Sequence, residues 1–144
     1  MRTNSKAVLA LLLVLLLGAC TDSTGLNGNV SGTYTLRTVG GQPLPYTEPN
    51  QDPSDYFTIN GGAFTLNSNG TSTETLLYTE TVPGQQTNTT STCFGTYSQS
   101  GNTIFVSEPN AANPDCGGTF TASWNGGNDL TLNINTGVDA VFTR

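Results

Sequence analysis

From residue 32 onward, apolar side chains recur at every second position, in short runs broken by turn residues. Tyr34 and Leu36 share one face against Thr33, Thr35 and Arg37. Phe57 pairs with Ile59, and Phe64 with Leu66. Ile104 and Val106 flank an oppositely directed Phe105, and Phe120, Ala122 and Trp124 alternate with Thr121 and Ser123. Leu130, Leu132 and Ile134 repeat the pattern, as do Val138, Ala140 and Phe142. A period of two is that of a strand with one face buried and one face wet. No window carries a sustained helical stripe. Stretches 71–82 and 89–98 also read as strands, rich in β-branched Thr, but which of their faces turns inward is ambiguous.

The punctuation is that of hairpins. Asn69-Gly70 lies between two strand runs and suits a type I′ turn, which needs positive φ at both central residues. Ser100-Gly101-Asn102, Gly126-Gly127-Asn128-Asp129 and Asn135-Thr136-Gly137 mark three more reversals. Short connections make sequential strands antiparallel neighbours. An amphipathic meander of this length exposes hydrogen-bonding edges unless it closes on itself. The expected fold is therefore all-β: a single antiparallel up-and-down barrel of about eight strands, with an interior that is filled or holds one small ligand. A two-sheet sandwich needs crossovers that these turns do not favour. Two longer connections interrupt the rhythm, Gln42 to Tyr56 and Glu108 to Gly118.

The amino-terminal stretch is of another kind. Arg2 and Lys6 precede an apolar run, Ala7 to Leu17, which is shorter than the roughly 20 residues needed to span a bilayer. A charged start, a short apolar run and small residues before a cut site describe a secretory signal. Leu17-Gly18-Ala19-Cys20 resembles the lipobox of bacterial lipoproteins. That resemblance implies a signal peptide over residues 1–19 and a mature chain starting at Cys20. The Cys20 thiol would carry a diacylglyceryl group and the new amino group an acyl chain such as palmitate. Thr21, where an Asp would favour inner-membrane retention, points by the same resemblance to the outer membrane, facing the periplasm or the cell surface. Residues 20–31, low in apolar content, read as a lipidated Cys and flexible tether, and 32–144 as the barrel domain.

An exported chain folds in an oxidising compartment. Cys93 and Cys116 are then the two cysteines left to form a disulfide, the alternative being two buried free thiols. After cleavage, Arg37 and Arg144 stand against ten carboxylates, a net charge of −8. Nucleic-acid binding draws on Lys and Arg at phosphates, so it is not expected. The chain has no histidine, which removes the usual base of a Ser or Cys nucleophile and the usual zinc and copper ligands. No catalytic residue, cofactor or metal is expected. Glu48, Asp52 and Asp55 read as a solvated acidic loop in preference to a weak calcium site.

Residues 32–45, GTYTLRTVGGQPLP, resemble the opening of small secreted lipocalin-like domains: a Gly-x-Trp/Tyr-x-Leu strand, a tight turn, then Pro-Leu-Pro. The closing Ala140-Val141-Phe142-Thr143-Arg144 is similar to their last strand with its basic residue. The related heat-shock-lipoprotein domains carry Gly-Cys-Asn after the second strand, which is missing here. The resemblance implies a barrel and at most a ligand cavity. Tyr34, Leu36, Phe64, Leu66, Phe120, Trp124, Leu132 and Phe142 would converge in its centre. Two roles follow. One is a membrane-tethered, non-enzymatic barrel binding a small apolar molecule. The other is a filled barrel serving as a structural or protein-interaction scaffold of the cell envelope.

Overall fold

Runs with one apolar face can hide it only against other such faces, and in this chain they meet around a ring. The computed structural model describes residues 28–48, 52, 54–109, 116, 118–134 and 138–144. Its strands are β1 (Gly32–Val39), β2 (Gln42–Pro43), β3 (Tyr46–Thr47), β4 (Tyr56–Leu66), β5 (Thr71–Val82), β6 (Gln85–Ser100), β7 (Thr103–Glu108), β8 (Gly118–Trp124), β9 (Asp129–Ile134) and β10 (Val138–Thr143). No helix occurs among the described residues. From β4 to β10 each strand pairs antiparallel with the next. β1 pairs with β10 on one side and with β4 on the other, closing an eight-stranded up-and-down barrel. The short β2 and β3 are appended along β1 and β4.

Two bulges reset which side chains point inward. In β1, Leu36 faces Phe142 but Thr38 faces Val141, so Arg37 is an extra residue. The inward set therefore runs Tyr34, Leu36, Val39, and all three are buried. In β4, Ile59 faces Tyr78 but Gly61 faces Leu77, leaving Asn60 as the extra residue. The Asn60 amide is not idle: it donates to Thr79 Oγ1 at 2.7 Å. A bulge adds one residue to one strand and sharpens its twist, which helps a sheet curl into a closed ring.

The turns explain the registers. Gly40 and Gly41, with φ of 58° and 74°, form a two-residue loop between Val39 and Gln42, as a type I′ turn requires. The Asn69-Gly70 reversal differs from the two-residue turn expected of it. Gly70 N–H donates to Asn67 O at 3.0 Å, and Asn67 N–H donates to Thr71 O at 2.9 Å. This is a three-residue loop, Ser68 to Gly70, closed by a left-handed glycine with φ of 84°. That is the next commonest hairpin design after the two-residue turns.

One end of the barrel is sealed by residues that composition assigns to the tether. Val30 is only 2% exposed and belongs to the core cluster. Its carbonyl accepts a 2.7 Å hydrogen bond from the Tyr34 hydroxyl. A side chain at Gly28 would run into the Trp124 ring, so the chain crosses the indole closely there. The Trp124 indole N–H donates to Gly127 O at 3.0 Å. Arg144 ties the parts together. Its Nη1 donates to Ser31 O and its Nη2 to Gly127 O, each at 3.1 Å. Its guanidinium stacks 5.4 Å from the centre of the Tyr34 ring. The ordered body therefore starts no later than Gly28, four residues before β1.

Candidate functional site

The interior divides into a packed half and a hollow half. Trp124, Tyr34, Phe64 and Leu66 are fully buried with Ile104 and Leu130. Phe64 meets Phe120 and Phe142 edge to face, with ring centres 6.1 and 6.2 Å apart, the arrangement that aromatic quadrupoles favour. Toward the other end the side chains no longer meet, leaving a cavity of about 320 Å³. That volume is near the lower limit of small-molecule sites, roughly 300 Å³.

Of the eight residues expected to converge in the centre as core or ligand lining, Leu36, Phe120, Leu132 and Phe142 reach the cavity. Tyr34, Phe64, Leu66 and Trp124 belong to the packed half and are core. Val39, Ile59 and Leu76 extend the apolar wall, and Glu74 of β5 is the ionisable group on it. A second depression of about 370 Å³ lies over the outer wall of β6, β7 and β8, among Thr96, Ser98, Ser107 and Thr119 with Phe105. It lies on the outside of the barrel and is more open to solvent than the interior cavity, so it encloses a ligand less completely.

Glu74 was not singled out from the sequence, nor was its neighbour Glu108. On β5 the register sets Glu74 opposite Phe64 on one side and Cys93 on the other. Glu108, expected at the start of a long loop, is instead the last residue of β7, in phase with the inward Ile104 and Val106, and is 4% exposed. Its Oε1 and the Oγ of nearby Ser72 have no hydrogen-bond partner. The space for Glu108 exists because position 95 is glycine. A Cβ there would lie 2.5 Å from Ser107 O and 2.9 Å from both the Glu108 Cγ and the Ser72 Oγ.

Burial, then the charge of Glu108, lifts the Glu74 carboxyl to about 7. Burial also raises Glu108. Both shifts follow from the cost of holding a carboxylate out of water without a compensating cation. The two arginines of the described residues are elsewhere: Arg37 is exposed, and Arg144 is at the sealed end. An apolar hollow walled by an acid of raised pKa can take up a molecule and offer it either a hydroxyl or a negative charge.

The disulfide expected between Cys93 and Cys116 is present, bridging 23 residues. It fastens the β7–β8 connection to the inward face of β6, with Cys116 Sγ 3.5 Å from Thr92 O. In the Gln42–Tyr56 connection, Asp52 accepts from the Ser54 N–H at 2.8 Å and from its hydroxyl at 2.7 Å. These bonds hold its carboxyl below the ordinary range. No cluster of three or more metal-ligating side chains occurs among the described residues. Cys20 lies outside the described residues. Compared with known proteins, the sequence matches no family model and no curated protein.

Proposed function

We propose that this protein is a non-enzymatic bacterial lipoprotein of the cell envelope, anchored through acylated Cys20, whose lipocalin-like barrel binds a small apolar molecule. The observation that carries the binding role is the asymmetry of the interior. One half is packed aromatic core, and the other is a hollow of about 320 Å³ walled by Leu36, Phe120, Leu132 and Phe142. A scaffold with no cargo gains stability by filling that space, since apolar wall left in contact with water forgoes roughly 25 cal/mol per Å² of burial. The lipid anchor is supported by Leu17-Gly18-Ala19-Cys20 at the end of the apolar run, and an outer-membrane location by Thr21.

The binding role is tested by native mass spectrometry of the chain purified from envelope extracts, in which a non-covalent adduct of small mass is expected. The bare chain alone, from several growth conditions, would remove this reading. Palmitate labelling that is lost in Cys20→Ala tests the anchor.

The scaffold reading rests on the outer wall. Phe94 is 70% exposed there, and Phe105 and Leu77 are also exposed on β7 and β5. Cross-linking in intact envelopes from a photoreactive residue at position 94 would yield a discrete protein adduct if that reading holds.

A further inference from the structure

We infer that the barrel cavity selects small apolar molecules that carry a cationic amine, with Glu74 as the group that holds the ammonium and Glu108 as the charge that reinforces it. The inference rests on the binding role proposed above and specifies its ligand class.

Three observations carry it. The cavity wall is apolar apart from the Asn133 amide and the Glu74 carboxyl, so a ligand finds one place to put a charge. Behind that wall Glu108 is almost wholly buried, faces inward from β7, and keeps Oε1 without a partner. Among the described residues, no base faces this pair. The elements around Glu74 contribute Phe64 from β4 and Cys93 from β6 in register, and Glu108 from β7. Arg37 is exposed and Arg144 is at the opposite end, over Tyr34. The pair therefore has the field of an unneutralised anion in a low-dielectric hollow.

An ammonium brought in by a ligand supplies the missing charge and three donors. A neutral hydroxyl supplies only an ordinary hydrogen bond, and a carboxylate is repelled. Charge-assisted bonds are roughly twice as strong as neutral ones. The ligand body then replaces water along Leu36, Leu132 and Phe142. At neutral pH, uptake of an ammonium shifts Glu74 toward its ionised form, so binding releases a proton to solvent.

The test uses a matched series of probes: 2-phenylethylamine, 2-phenylethanol and 3-phenylpropionate. Each is titrated calorimetrically at pH 8 into the whole chain held in phosphatidylcholine nanodiscs, with empty discs subtracted. The amine is expected to bind roughly tenfold or more tightly than the alcohol, and the carboxylate least. In Glu74→Gln the amine should lose its advantage and bind no more tightly than the alcohol binds to the same variant. In Glu108→Gln the preference should shrink without vanishing. Circular dichroism and thermal melts check that both variants are folded.

Equal binding of amine and alcohol by the wild-type chain overturns the amine preference and leaves the cavity as a general apolar site. A preference that persists in Glu74→Gln overturns the assignment of the residue. If none of the three probes binds, the binding role itself falls, and this inference with it.

Discussion

Glu74 gives the molecule a dependence on pH whose sign is fixed by where the residue sits. Its carboxyl titrates near 7 in the folded chain, against about 4.3 for an unperturbed Glu. Between those values the folded state holds the proton and the unfolded state has lost it, so folding weakens as pH rises. The loss is complete above about pH 7 and amounts to roughly 3 kcal/mol. Urea melts from pH 4.5 to 8 should show the midpoint falling across this window. Glu74→Gln should make the curve shallower, leaving the part that belongs to Glu108, and raise stability at pH 8. At the sealed end, Tyr34→Phe removes the donor to the buried Val30 carbonyl and should cost about 1–2 kcal/mol in urea denaturation. Arg144→Ala loses the stacking on Tyr34 along with its two 3.1 Å bonds and should also increase proteolysis near residue 28.

At the level of elements, the β5–β6 pair shows what holds the hollow half together. Ser72 faces Gly95 and Glu74 faces Cys93 across it. Gly95→Ala places a methyl group against the Ser107 carbonyl, which is backbone and cannot swing aside. A loss of about 1–3 kcal/mol is expected. Replacing both Cys93 and Cys116 by Ser releases a 23-residue closure, worth about 3 kcal/mol in chain entropy. Reductant should reproduce most of that shift in the native chain and none of it in the double variant. The same pair marks the limit of what alternation reveals. β1, β7, β8, β9 and β10 are legible because most of their inward positions are apolar and most of their outward ones are polar, with Phe105 and Val141 as outward exceptions and Glu108 as an inward one. On β5 and β6 the inward positions include Ser72, Glu74, Ser91, Cys93 and Gly95 beside Leu76 and Tyr78, while Leu77 and Phe94 face outward, and the contrast between faces disappears. Glu108 was within reach, since it continues the spacing of Ile104 and Val106. The extra residues Arg37 and Asn60 leave no mark in the pattern, because a bulge is defined by the partner strand.

For the molecule as a whole, the closure of β1 onto β4 removes the last free edge of the main ring. Thr35 is paired on both sides, with Thr143 and with Ala63. Thr35→Pro removes a ladder donor from a strand hydrogen-bonded along both edges, where proline is essentially never found. It should lower stability by about 3 kcal/mol or more and expose surface that binds a hydrophobic dye. A substitution on an unclosed sheet's rim would do far less, so this variant separates a ring from an open meander.

Residues 28–31 join the body at the pole opposite the hollow, because β1 runs from Gly32 beside the sealed end to Val39 on the cavity wall. Seven residues lie between Cys20 and Gly28, eight Cα-to-Cα steps that reach at most about 28 Å when drawn straight. Were Cys20 acylated as proposed, the tether would attach at the blind pole and leave the mouth at the far end of the barrel. Cargo would then arrive from and leave to the aqueous phase, and a molecule dissolved in the membrane would have to come out of it before being captured.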